Sequence, residues 1–98
     1  MMENRIPKFI VILILFSFSL SGCYYFSARS EMKEAENLIS QLRAQGGEKQ
    51  VPYEYTSAVK FLEISNIEFS DNDFKAAKGF ASRSKSAAEA GLTEVKKK

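Results

Sequence analysis

The sequence predicts an all-α protein, a short antiparallel three-helix bundle that follows an N-terminal apolar leader. Two observations predict it. Three stretches carry apolar residues at alternating steps of three and four, which is the helical period. Between them stand helix breakers and starters, Gly46-Gly47 with Pro52 and then Ser70-Asp71-Asn72-Asp73. The chain has 98 residues, room for one domain at most.

Composition excludes several functions. The formal net charge of +2, with no His and a single Cys, leaves no strong nucleic-acid footprint, no His-based acid–base chemistry, no His/Cys zinc site and no internal disulfide.

The leader comes first. Met1–Lys8 is polar and basic, with Arg5 and Lys8 against Glu3. Phe9 to Leu20 is twelve residues without a charge, and Ser21, Gly22 and Cys23 follow. A basic start, an apolar run and small residues at the cut describe a secretory signal, with the basic flank left on the cytoplasmic side. Three other readings stay open: a buried free cysteine at Cys23 in a cytosolic protein, an ordinary secretory peptide, or an uncleaved anchor. Twelve residues reach only about 18 Å at 1.5 Å per residue. Extension through Tyr24, Tyr25 and Phe26 gives eighteen, close to the roughly 20 that a spanning helix needs.

Leu20-Ser21-Gly22-Cys23 resembles a bacterial lipobox at all four positions and at the right distance from the apolar run. The resemblance implies cleavage between Gly22 and Cys23, a thioether from the Cys23 sulfur to diacylglycerol, and an acyl chain on the new amino terminus. No other cofactor is expected. Residues 1–22 are then the signal peptide and 23–29 a lipidated linker. Tyr24, Tyr25 and Phe26 fall where the chain leaves the headgroups, a zone that aromatic rings favour. Tyr24, rather than Asp, follows the cysteine, and by resemblance to lipoproteins of the enterobacterial kind, in which an Asp there retains the protein in the inner membrane, this implies the outer membrane facing the periplasm.

The mature chain keeps 12 basic and 11 acidic residues of the original 14 and 12, because Glu3, Arg5 and Lys8 leave with the signal. Its three-helix domain is expected over 30–91. The first helix, about 30–45, has Ser27 or Ser30 as cap and Glu31 and Glu34 near the positive end of its dipole. Ala28, Met32, Ala35, Ile39 and Leu42 form its stripe, with Leu38 beside them. Gly46-Gly47 stops it. The second helix, about 52–70, starts with Pro52 at a position where a missing N–H costs nothing. Tyr55, Ala58, Val59, Leu62 and Phe69 form one stripe, and Phe61, Ile64 and Ile67 a second. An apolar arc this wide predicts two neighbours, and so the central place. The third helix, about 73–90, shows a face of small residues: Ala77, Ala81, Ser84 and Ala88, with Phe74, Phe80 and Ala87. Small faces let helix axes approach closely. Gly79 points away from this face and takes no packing role. Gly91 is expected to end the helix, leaving 92–98 as a basic polar tail. Glu54, Glu63 and Glu68 on the second helix face Lys75, Lys78, Arg83 and Lys85 on the third, which favours antiparallel pairing.

Val51-Pro52-Tyr53-Glu54-Tyr55-Thr56-Ser57-Ala58, then Phe61-Leu62, then Asn72-Asp73-Phe74-Lys75-Ala76-Ala77 and Ala81 resemble a domain-of-unknown-function family of alanine-rich helical lipoproteins. The resemblance spans about 32–90 and implies a tetratricopeptide-like helical hairpin with a leading helix. It brings no catalytic residues. There is no second 34-residue copy, so no long peptide groove follows. Apolar surface left open by an incomplete array favours self-association or an envelope protein as partner.

The function expected is therefore a lipid-anchored interaction or scaffolding module of the bacterial cell envelope, without catalysis, nucleic acid or small-molecule substrate. Cys23 serves attachment, and Tyr53 and Phe61 are the candidate partner contacts, while Tyr55 and Phe69 belong to the core. Asp71 and Asp73 read as capping residues rather than an acid–base pair. The alternative is a structural lipoprotein joined to the cell wall through Lys96-Lys97-Lys98.

Overall fold

A computed structural model describes residues 8–98, without the side chains of residues 8, 9 and 14–22. The basic start at 1–7 lies outside this set, as do the side chains of the second half of the apolar run. The fold is all-α, with no strand among the described residues: α1 (Lys8–Ala44), α2 (Gly47–Gln50), α3 (Pro52–Ser70) and α4 (Phe74–Lys97).

Contacts between the helices fix their directions. Tyr25 of α1 meets Phe74 at the start of α4, and Leu42 near the end of α1 lies beside Gly91 near the end of α4. These two helices therefore run parallel, and α3 runs antiparallel to both. The extensive packing is of α4 with α3 and of α4 with α1, while α1 and α3 meet over a much shorter stretch. The central helix is thus α4 and not α3, contrary to the wide apolar arc of α3. The reason is side-chain size. Ala77, Ala81, Ser84 and Ala88 are fully buried in α4, and so thin a helix accepts larger side chains on two sides.

The stripes of the sequence form the core. Ala28, Ala35, Ile39 and Leu42 of α1 are buried, as are Tyr55 and Ala58 of α3. Two hydroxyls bind α3 to α4 from within. Ser65 Oγ donates to the Ala77 carbonyl and Ser84 Oγ to the Ala58 carbonyl, each at 2.6 Å. Buried hydroxyls need such partners, and these two also fix the register of the pair.

Four boundaries differ from expectation. Neither Ser27 nor Ser30 caps a helix, because α1 runs unbroken through the expected linker at 23–29, where Ala28 is already buried. A four-residue helix, α2, fills the connection between Gly46 and Val51. Gly46 takes the left-handed conformation that ends α1, at φ 80°. Gly91 does not end α4. It is buried mid-helix, and a Cβ there would stand 2.8 Å from Leu42 Cδ2 and 3.2 Å from Glu54 Cβ. Glycine serves close approach here, not termination. The expected tail at 92–98 is helical to Lys97, with Leu92 and Val95 packed against the core.

Gly79 has open space where its Cβ would lie. Gly79→Ala is therefore expected to raise stability by about 0.5–1 kcal/mol, since it lowers the helix cost of glycine and meets nothing. A thermal melt with no rise in midpoint would contradict this.

The ion pairs also correct an expectation. Lys85 Nζ of α4 lies 2.6 Å from Glu34 Oε2 and 2.9 Å from Glu31 Oε1, both on α1. Among the described residues no ion pair joins α3 to α4, so charge selects the parallel neighbour instead. The hydrogen bond that it donates to Glu34, and then its close pairing with Glu31, hold the Lys85 ammonium well above its ordinary range. A raised lysine stabilises fully below its unfolded pKa, near 10.5, and the contribution is lost as pH climbs through the higher folded value. Lys85→Met should therefore lower the melting midpoint at neutral pH. The difference from the native chain should persist from neutral pH into mild alkali and shrink only in strong alkali on that side. A gap that closes already in mild alkali would refute the assignment.

Candidate functional site

Cys23 is exposed on α1, and it is a free thiol. Leu20, Ser21 and Gly22 precede it in the same helix. The Ser-Gly pair makes this part of the helix easier to unwind than most sequences. Among the described residues no helix is long and apolar enough to cross a membrane. The side chains of residues 14–22 lie outside that statement.

Directly after Cys23 the helix enters an aromatic knot. The Tyr25 ring lies 5.2 Å from both Phe69, at the end of α3, and Phe74, at the start of α4, and those two rings lie 5.0 Å apart. Lys78 stands over the Tyr24 ring at 5.9 Å, and Arg29 over Tyr25 at 6.0 Å. Edge and tilted ring contacts of this kind are favourable beyond their buried area. The turn between α3 and α4 is built to close here. Asn72 takes φ 65°, and Asp73 Oδ1 accepts from the Ala76 N–H at 3.2 Å. Asp73 thus caps α4, and Asp71 ends α3 through its backbone.

The second candidate region is the outward face of α3. Tyr53 is 79% exposed, Ile67 59% and Ile64 37%. Tyr53, Ser57, Lys60, Ile64 and Ile67 follow one another at steps of four and three, so they share one side of the helix. Pro52, Thr56 and Phe61 join Tyr53, Ser57, Lys60 and Ile64 in lining a shallow, mostly apolar groove, and Ile67 lies beyond it. Phe61 is only half-exposed, because it stacks on Phe80 with centroids 6.3 Å apart, and Arg83 covers the Phe80 ring at 5.2 Å. Tyr53 is the freer of the two expected contact residues. Tyr55 is buried and receives a hydrogen bond at its hydroxyl from Arg43 Nε at 2.9 Å.

Ile64 and Ile67 were expected to pack on a second neighbour. They face outward because α3 sits at the edge of the assembly. Lys60 in the middle of the same face is the signal, since a lysine ammonium is rarely buried. On its other side α3 leaves a groove against α1, lined by Met32, Phe69, Arg29, Lys33, Glu36 and Asn66 among others. Among the described residues no group of three or more metal-ligating side chains comes together.

No family model, curated protein or solved structure matches the chain.

Proposed function

We propose that this chain is a lipid-anchored helical interaction module of the bacterial cell envelope. Diacylglycerol on the Cys23 sulfur and an acyl chain on its amino group hold it to the outer membrane, facing the periplasm. The α3–α4 pair serves as a tetratricopeptide-like hairpin, and α1 completes a three-helix bundle with it. The partner, an envelope protein or a second copy, docks on the outward face of α3.

One observation carries this reading. A small domain whose core is mostly alanine leaves Tyr53, Ile64 and Ile67 in solvent on one helix face. Contiguous exposed apolar surface marks interaction sites more often than scattered single residues do. Attachment to a leaflet raises the local concentration of both partners, so a modest face is enough. Conversion of the thiol to a thioether accounts for a lone exposed cysteine in a chain that can form no internal disulfide.

The test places a photo-crosslinking residue at Tyr53 or at Ile67 in cells that produce the protein natively, with Glu89 on the exposed side of α4 as control. A discrete adduct from the first two positions, absent from the third, is expected. Tyr53→Glu with Ile67→Glu should abolish the adduct from a probe at Ile64 while leaving the melting midpoint nearly unchanged, since surface changes of this kind stay within about 0.5 kcal/mol. Adducts of equal yield at all three positions would reject the face.

A further inference from the structure

The expected linker at 23–29 is absent. Flexible linkers let an anchored domain swing free of its membrane. Here Cys23 is followed without a break by helix, and the Tyr25 ring, two residues on, is already locked against Phe69 and Phe74. At 1.5 Å per residue, those two steps advance about 3 Å along the axis. An acyl-bearing sulfur at Cys23 therefore has no slack.

We infer that the end of the domain formed by Tyr24–Phe26 and the α3–α4 turn docks on the lipid headgroups, so that α1, α3 and α4 stand out from the leaflet. The inference rests on lipid attachment at Cys23. Its occupant is a lipid surface, and continuity with the attachment point argues for it. Phe26 is 73% exposed and Tyr24 is 37% exposed, one turn or less from the sulfur. Aromatic rings at that depth sit well at the interface. The charges at this end are Arg29, Lys75 and Lys78 against Glu68, Asp71 and Asp73. They balance, so docking depends on the anchor and the rings and not on anionic lipid.

The geometry has a consequence for the rest of the molecule. Val51, Tyr53 and the last turn of α4 lie at the opposite end, because Leu42 and Gly91 meet there. The α3 face then runs away from the membrane, with Ile67 close to the headgroups and Tyr53 far from them. A partner on this face must present a surface along the membrane normal.

The test uses the full chain, produced in a bacterial host, with its acylated mass confirmed, in vesicles of zwitterionic lipid. Thioether formation at Cys23 consumes the chain's only native thiol. A nitroxide is then attached to a cysteine introduced by Asp71→Cys or by Glu48→Cys. Ni2+ chelated on lipid headgroups should relax the label at 71 several-fold more than the label at 48. Addition of anionic lipid should leave that ratio unchanged. Insertion of five Gly/Ser residues between Cys23 and Tyr24 should bring the two values together. Equal relaxation at both positions in acylated protein would overturn the docking but leave the lipid anchor standing. A mass without acyl chains would overturn both. A ratio unaffected by the insertion would show that the missing linker does not set the orientation, and would also overturn the inference.

Discussion

Leu42→Ala leaves the domain at the edge of unfolding. Leu42 is the largest fully buried hydrophobic side chain among the described residues, and the core cluster of Ile39, Val51, Tyr55, Ala58 and Ala88 surrounds it. Both Gly47 and Gly91 make room for it. A Cβ on either would collide with the leucine, and on Gly47 it would also meet the Leu42 carbonyl oxygen at 2.8 Å. Truncation of a buried leucine costs about 2–5 kcal/mol, the higher values where neighbours cannot collapse into the space. Alanine and glycine neighbours have little side chain with which to collapse. A core of this size supplies roughly 3–5 kcal/mol in total. Urea unfolding of chains lacking residues 1–22 should show the midpoint falling toward zero denaturant. A loss below about 1 kcal/mol would mean that the leucine is not the keystone of this end. The coupling can be tested directly. In the Leu42→Ala background, Gly91→Val should recover part of the loss, whereas in the native background it should destabilise. Opposite signs at one position are the signature of a shared volume.

That pair also shows what a one-dimensional reading can and cannot see. The apolar positions at steps of three and four located the helices and most of the core, because burial selects residue type directly. Ala28, Ala35, Ile39, Leu42, Ala58, Ala77, Ala81 and Ala88 are all found inside. Glycine is ambiguous, since one residue type serves both a left-handed turn and a close approach. Gly46 does the first and Gly91 the second, and only the leucine opposite Gly91 separates the cases. Serine misleads in another way. Ser65 continues the stripe of Tyr55, Ala58, Leu62 and Phe69, yet polarity hid it, because its partner is a carbonyl on another helix. The order of the helices was the largest error. Width of the apolar arc suggested a central α3, but the centre belongs to the helix thin enough to be approached twice. At the candidate site Ile64 and Ile67 are legible as a second stripe, but their spacing is the same whether that stripe is buried or exposed. The candidate contacts Tyr53 and Phe61 lie on or beside that face, one exposed and one half-covered by Phe80.

Cys23→Ser should change the identity of the anchor more than the membrane association itself. In the proposed route the thiol must be alkylated before the bond after Gly22 is cut. A hydroxyl cannot take its place, because a serine oxygen is a far poorer nucleophile than a thiolate near neutral pH. The variant therefore keeps residues 1–22, including the uncharged run from Phe9 to Leu20. That run alone reaches only about 18 Å. Tyr25 is packed against Phe69 and Phe74 and adds nothing to it, but a basic flank followed by an apolar run of this length is enough for an uncut signal segment to stay in the bilayer. The variant should remain membrane-bound, then, but through its leader and in the membrane where export begins. The native chain instead gains about 0.8 kcal/mol for each methylene that its acyl chains bury. Intact mass separates the two outcomes without relying on fractionation. The native protein should lack residues 1–22 and carry acyl chains, and the variant should be the full-length, unmodified chain. If the two proteins are cut at the same bond and neither carries lipid, the segment before Cys23 is an ordinary secretory peptide. The docking of the aromatic end on headgroups then loses its cause, while the packing of α4 between α1 and α3 is untouched.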